Sequence, residues 1–388
     1  MDFEYTDEQQ MIAGAVRDLC SGFDDEYWLE HDREHRFPWD FYQAFADAGW
    51  LGTAIPEEHG GGGLGITEAG IILREIAASG AAMNGCSALH LTLFGMNIIV
   101  KHGSEVMRGE VLPRVITGDL HVCFALTEPD AGTDTTSIST FAKRDGEQYV
   151  INGRKLWITK ALESEKMILA ARTTKLEDAE RRTDGITIFL VDLDDPAIDI
   201  RPIEKFGRNA VASTEVFIDD LRVPVDRVIG EVGSGFRQLM DGLNPERILL
   251  AFESIGIGRA AIRRAVDYAN QRVVFGRPIG QNQGLAFPLA DATARLDSAE
   301  LMAQKSAWLY DNGRKCAREA NSAKYLCADA AFQAADRAMQ THGGLGYARE
   351  YHVERYFREA RLMRIAPVSQ EMVLNYLSEH TLGLPRSY

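Results

Sequence analysis

These 388 residues contain no apolar run of 18, so no segment is expected to cross a membrane. Positive charge is in deficit: 42 Lys and Arg stand against 57 Asp and Glu, a formal net charge of −15. A chain this acidic lacks the electrostatic footprint for a phosphate backbone, which argues against a nucleic-acid partner. Cysteine is sparse. Cys20, Cys86, Cys123, Cys316 and Cys327 are odd in number and form no CxxC pair, as expected of core thiols in a reducing compartment. The opening MDFEYTDEQQ shows no basic-then-apolar leader, so a cytoplasmic location is expected. There is no repeat of 20–50 residues, no low-complexity stretch and no G-x-S-x-G nucleophile elbow. What remains is ordinary for a folded globular protein: 45% apolar, 26% charged and 9% aromatic residues. The length allows two to four domains.

The first 120 residues read as helices. Thr6 and Gln9 form a capping box ahead of Met11, Ile12, Ala15, Val16 and Leu19 at helical spacing. A second helix opens at Pro38 and closes at Gly49, and further apolar stretches lie near 71–78, 91–100 and 106–116. From His121 the apolar period drops to about two. Asp145-Gly146 and Asn152-Gly153 each read as a hairpin turn between short strands. Further strands are expected near 122–126, 167–171, 186–191 and 214–218, with a charged loop over 173–184. Helices return after Gly235 and run to about His380, broken at Gly313, Gly343-Gly344 and Pro367. The expected fold is α+β and multidomain: an N-terminal helical domain (1–120), a central β-barrel or sandwich domain (121–232) and a C-terminal four-helix-bundle-like domain (233–388).

Two motif-like strings fail on context. Gly60-x-Gly62-x-x-Gly65 matches a dinucleotide fingerprint, but Pro56, Glu57, Glu58 and His59 precede it where a buried strand is needed, so it reads as a surface loop. His31 and His35 have zinc-pair spacing. No third ligand is evident and Asp32, Arg33 and Glu34 make a solvated face, so no metal is expected.

Three segments stand out, although each taken alone could be a hairpin, a packing tryptophan or an interhelical turn. Residues 124–134, FALTEPDAGTD, end a strand in a turn rich in backbone N–H groups and short hydroxyls, suited to the edge of a flat polar ligand. Residues 152–159, NGRKLWIT, place Trp157 and Thr159 on one strand, and 272–279, RVVFGRPI, form a basic-aromatic break between long helices. In this order, and with QTHGGLGY (340–347) and RYFREARL (355–362), they resemble the acyl-CoA dehydrogenase family from one end of the chain to the other.

The resemblance implies FAD as cofactor, seated between the β domain and the C-terminal helices. Backbone and hydroxyl groups of Leu126 and Thr127 would meet the pyrimidine edge of the flavin, Trp157 would pack beside the ring, Thr159 would point a hydroxyl at its redox centre, and Phe124 and Ile158 would also contact the cofactor. Arg272, Phe275 and Gln283 would hold the pyrophosphate and adenine arm, while Gln340, Gly343 and Gly344 would reach it from a neighbouring subunit. That implies a homo-oligomer, a tetramer in the usual family form. Ser369 would also contact cofactor. Thr133, Leu243 and Arg247 would lie along an acyl-CoA substrate, and an electron-transfer flavoprotein would be the electron acceptor.

The implied reaction is α,β-dehydrogenation of an acyl-CoA thioester to the trans-2-enoyl-CoA. A carboxylate removes the α-proton on one face of the acyl chain while a hydride leaves the β-carbon for flavin N5 on the other. The bound acyl chain would desolvate that carboxylate and raise its pKa. The family keeps the base in one of two places. Near the C-terminus this chain has Ala366, Pro367, Val368 and Ser369, with no carboxylate. In the helix after the β domain, Leu243-Asn244-Pro245-Glu246-Arg247 places Glu246 at the position used by isovaleryl-CoA and long-chain acyl-CoA dehydrogenases. Sequence leaves open whether that helix starts at Asn244 or runs through Pro245. Pro367 has no N–H and cannot supply the usual donor to the thioester oxygen. Rival readings are a flavin oxidase or monooxygenase, a dehydrogenase of carrier-protein thioesters, and a non-catalytic flavin-binding scaffold.

Overall fold

The computed structural model describes residues 4–387. Helices come first: α1 (Asp7–Cys20), α2 (Asp25–Glu34), α3 (Trp39–Asp47), α4 (Ile66–Ile76), α5 (Ala82–Leu93), α6 (Asn97–His102) and α7 (Glu105–Ile116). Thr6 caps α1 as expected: its hydroxyl accepts from the Gln9 N–H, and the Gln9 side chain accepts from the Thr6 N–H. The Gly60–Gly65 stretch is a loop leading into α4. There Asp311 accepts from the N–H groups of Ile66 and Thr67 at 2.8 and 3.0 Å, and a Cβ on Gly65 would lie 2.7 Å from that carboxylate. The glycine therefore admits a helix cap.

Between α4 and α5 the chain kinks, with Gly80 at φ 115° and Ala82 at φ 48°. Arg355 donates to the carbonyls of Gly80 and Ala81 at 2.7 and 3.3 Å, so the orphaned oxygens of the kink are satisfied. Although no unbroken apolar run of 18 occurs, residues 66–102 include a window of mean hydropathy 1.3, apolar and long enough by composition to span a membrane. In the fold, 78% of that window is buried against the protein itself.

The strands are β1 (Val122–Ala125), β2 (Phe141–Asp145), β3 (Gln148–Thr159), β4 (Lys166–Arg172), β5 (Ile186–Asp192), β6 (Ile198–Pro202), β7 (Ser213–Pro224) and β8 (Val228–Ile229). They run in the order β6-β7-β3-β2-β4-β5-β8, with β1 added parallel to β4. Phe141↔Arg172 is the sole pairing between β2 and β4, so the sheet divides into two halves at that seam. Met167, Leu169 and Ala171 of β4 meet Ile151, Val216 and Ile218 in an inner core, while Ile168 and Ala170 face a second core with Ile98, Ile99, Val111 and Leu112. Being buried on both faces, β4 reads as a continuous apolar run.

The hairpin at Gly146 forms, with Gly146 at φ 62°. The one expected at Asn152-Gly153 does not, because β3 continues through it. Ile151 pairs with Leu221 and Gly153 with Ile218, leaving one extra residue on β7. The Asn152 side chain fills that gap, donating to Asp220 Oδ1 at 2.9 Å and accepting from the Asp220 N–H at 2.8 Å. Gly153 sits where a Cβ would fall 2.3 Å from Thr140 Oγ1. Close strand packing, and not a turn, requires this glycine.

After the sheet come α8 (Gly235–Gln271), a short hairpin of β9 (Val273–Val274) and β10 (Arg277–Pro278), then α9 (Gln283–Asp311), α10 (Ala317–His342), α11 (Val353–Met363) and α12 (Gln370–His380). Helix α8 runs through Pro245 and does not start at Asn244, resolving the alternative that sequence leaves open. Apolar residues of α1, α3, α4 and α5 share one core with those of α8, α9, α10 and α11. The two helical stretches are far apart in sequence but bury their faces against each other. All five cysteines are buried and free.

Candidate functional site

The turn after β1 is braced from beneath. Lys155 on β3 donates to the Leu126 carbonyl at 3.0 Å and to Glu128 Oε1 at 2.8 Å. Glu128 also accepts from Ser139 and Thr140 N–H groups at 2.6 and 3.0 Å. The Leu156 N–H reaches the Thr127 carbonyl at 2.9 Å. These contacts seat Leu126 and Thr127 beside the end of β3. Phe124 and Leu126 turn their side chains toward the helix-facing core, and Thr133 is exposed farther along the turn. Beyond it, Asp134 accepts from Arg182, Thr136 and Ser137, which holds its carboxyl down at about 2, mainly through the two hydroxyls.

A bulge then turns Trp157 outward. Lys155 pairs with Val216 but Ile158 with Thr214, so β3 carries one extra residue here, and Trp157 adopts φ 61°. A bulky side chain in the left-handed region is strained. The strain leaves the indole 52% exposed on the surface of the sheet. Ile158 faces the opposite way, into the β core, and its carbonyl takes the Thr214 hydroxyl. Its side chain therefore faces away from the Trp157 side. Thr159 Oγ1 accepts from the Arg208 guanidinium at 3.3 Å, and Arg208 also donates to Ser87 on α5 and to Ser213.

That link leads across α5 to the expected base. His90 lies one turn beyond Ser87 on the same face of α5. Its Nε2 stands 2.8 Å from Glu246 Oε2, and its Nδ1 stands 2.8 Å from Glu253 Oε1. The Glu253 side chain is fully buried, whereas that of Glu246 is 27% exposed. Burial opposes charge on the imidazole, but the two carboxylates outweigh it and hold the His90 pKa well above its ordinary value.

Leu243 and Arg247 share the same half-buried stretch of α8. Arg247 donates to Asn244 Oδ1 at 3.3 Å, its Nε is buried without a partner among the described residues, and desolvation lowers its pKa. Lys324 on α10 pins the loop before α12, donating to the carbonyls of Met363 and Val368 at 2.8 and 2.5 Å. Ser369 caps α12 by accepting from the Met372 N–H, a role its position in the sequence did not suggest. Glu371 is exposed on the first turn of α12.

The other expected cofactor residues lie elsewhere. The 26 residues from Glu246 to the end of α8 span roughly 37 Å. Arg272 and a fully exposed Phe275, at φ 51°, lie beyond that end, and exposed Gln283 opens the next helix. Tyr268 stacks on His342 at 4.3 Å, bringing exposed Gln340, Gly343 and Gly344 to the same end. The two groups expected to come from different subunits thus form one cluster, remote from Glu246 of their own chain.

Sequence reasoning missed Lys155, Glu128, Arg208, His90 and Glu253. A usable signal existed for three of them. Lys155 stands at an inward register on β3, and a buried lysine needs a partner. His90 and Glu253 each interrupt an apolar helical run, Ala88-Leu89-His90-Leu91 and Ala251-Phe252-Glu253-Ser254-Ile255.

Three family models match the chain: "Acyl-CoA dehydrogenase, N-terminal domain" over residues 6–119, "middle domain" over 123–221 and "C-terminal domain" over 233–382. The chain is 39% identical to acyl-CoA dehydrogenase FadE12 of Mycobacterium tuberculosis over 390 aligned residues, covering 100% of this chain and 99% of that one. It is 33% identical to the mouse mitochondrial short-chain specific acyl-CoA dehydrogenase, covering 99% and 92%. Its fold superposes on butyryl-CoA dehydrogenase from Megasphaera elsdenii with a TM-score of 0.93 at 29% identity, covering 98% and 100%.

Proposed function

The chain belongs to the acyl-CoA dehydrogenase family and is an acyl-CoA dehydrogenase, and from that premise we propose that Glu246 is the base that takes the α-proton. One observation carries this reading. Glu246 is tied through His90 to α5, and α5 is tied through Ser87 and Arg208 to Thr159, so base and β-sheet surface flank one region. Among the described residues the remaining oxygen, Glu246 Oε1, makes no hydrogen bond and is left to accept a proton. No carboxylate competes at the C-terminal position, and Glu371 points to solvent from a capped helix. This groups the chain with family members that carry the base on the helix after the β unit.

The residues around Trp157 fit FAD, the cofactor of the family: a half-exposed indole on a strained bulge lacks a flat partner, and the Thr159 hydroxyl is its neighbour on the strand. Bound there, FAD supplies the hydride acceptor that no side chain provides. Leu126, Thr127, Trp157 and Thr159 would hold its ring, with Lys155 and Glu128 keeping the turn rigid beneath. Arg272, Phe275, Gln340, Gly343 and Gly344 would reach the cofactor of another copy, because roughly 37 Å of helix separates them from their own Glu246. This supports a homo-oligomer, in the tetrameric form of the family. Thr133, Leu243 and Arg247 would line the thioester, and an electron-transfer flavoprotein would reoxidise the enzyme. Five buried free thiols suit the reducing cytoplasm.

Glu246→Gln keeps size and polarity but cannot accept the proton. Anaerobic flavin bleaching by acyl-CoA should slow by about 10²-fold or more with FAD content unchanged. A wild-type rate in this variant would rule Glu246 out as the base.

A further inference from the structure

Glu246 and Glu253 stand seven residues apart, two turns along one face of α8. His90 enters the gap from α5 and meets one carboxylate with each ring nitrogen at 2.8 Å. An ionised carboxylate only accepts hydrogen bonds, so an imidazole satisfied on both sides carries two protons and a positive charge. Glu253 is fully buried, and among the described residues its only hydrogen-bond partner is His90, with Oε2 left unpaired. Such a carboxylate contributes little to packing. Its evident effect is to hold the imidazole charged and aimed at Glu246.

We propose that His90, clamped by Glu253, is a positioning residue that fixes the orientation of Glu246 and keeps a cation beside it. This rests on Glu246 being the base. A neighbouring cation favours the ionised carboxylate. When an acyl chain excludes water, desolvation favours the neutral form of a carboxylate beside it, and a neutral carboxyl cannot accept the α-proton. The imidazolium opposes that shift. Other charged or titratable groups pack around α5: Tyr42 from α3, Lys160 after β3, Arg208 before β7 and Glu359 from α11. They bond to Thr92, Ala88, Ser87 and Asn84, not to the imidazole.

The test is the pH dependence of anaerobic flavin reduction in the holoenzyme, from about pH 5.5 to 9, using whichever saturated acyl-CoA reduces the wild type fastest. His90→Gln retains an N–H donor but no charge. His90→Gln/Glu253→Gln replaces the dyad by two amides and leaves no lone buried carboxylate, so it serves if the single variant fails to fold. In either, the acidic limb should move up by about one unit or more, a rate about 10-fold lower at acidic pH that recovers toward wild type at alkaline pH, with acyl-CoA affinity little changed. An unmoved limb, or a rate lowered equally at every pH, overturns the proposal. Glu246→Gln run alongside separates the two ideas. A slow Glu246→Gln with an unmoved limb in the His90 variants sinks only the role of His90, whereas a fast Glu246→Gln sinks the base assignment itself.

Discussion

Lys155 and Glu128 form an ion pair at 2.8 Å in which both side chains are buried, 0% and 4% exposed, beneath the turn that presents Leu126 and Thr127. Neither end of the pair reaches water, so each depends on the other. Lys155→Met leaves Glu128 uncompensated and should destabilise the protein by about 3–5 kcal/mol in urea unfolding, with loss of bound flavin. Adding Glu128→Gln removes the stranded charge and should restore part of that stability. A double variant no more stable than Lys155→Met would mean that the charge is not what matters.

The arm at the end of α8 gives a prediction about assembly. Arg272→Ala/Phe275→Ala alters exposed side chains and should leave the monomer fold intact while impairing flavin retention. Glu246→Gln is impaired for the opposite reason. Refolded together, the two inactive chains should recover activity that neither has alone, since a mixed pair unites one intact base with one intact arm. No recovery would place base and arm at the same chain's site.

The thioester oxygen needs a donor that Pro367 cannot provide. Helix α8 is continuous, so the backbone N–H groups around Glu246 are committed to the helix and are not the replacement. The Val368 N–H remains, on the loop that Lys324 pins. An acyl-CoA complex should show that nitrogen about 2.7–3.1 Å from the thioester oxygen. Lys324→Met, by freeing the carbonyls of Met363 and Val368, should lower kcat more than it raises KM.

Glu359 predicts a pH dependence of stability. It is buried at the contact of α11 with α5, accepting from the Met83 N–H at 2.6 Å and the Asn84 amide at 3.0 Å. Burial pushes its carboxyl up to about 7 against the pull of Arg355. Between its ordinary value of 4.5 and about 7 the native state keeps a proton that the unfolded chain has released, so stability falls as pH rises through that window. His90, whose pKa is also raised, extends the fall above its own ordinary value of 6.5. Thermal unfolding across this range should show the decline in wild type and a flatter slope in Glu359→Gln. Equal slopes would assign the titration to another group.

Local rules were legible because their causes are local. The Thr6 capping box, the Gly146 turn and the helices over α8 to α12 follow from spacing and capping within a few residues. The order of motifs pointed to the family, to Glu246 and to Trp157 and Thr159. Asn152-Gly153 misled for a tertiary reason: Thr140 crowds Gly153 and Asp220 on β7 claims Asn152, so the pair serves a bulge. Tertiary structure alone decided which charges meet. Lys155 and Glu128 are 27 residues apart, and His90 and Glu253 are 163 residues apart. Sequence spacing says nothing about such pairs, because each forms only when separate elements bury their faces together. The same holds for the arm, where the rigid length of α8 separates Arg272 from the Glu246 that sequence had grouped with it at one site.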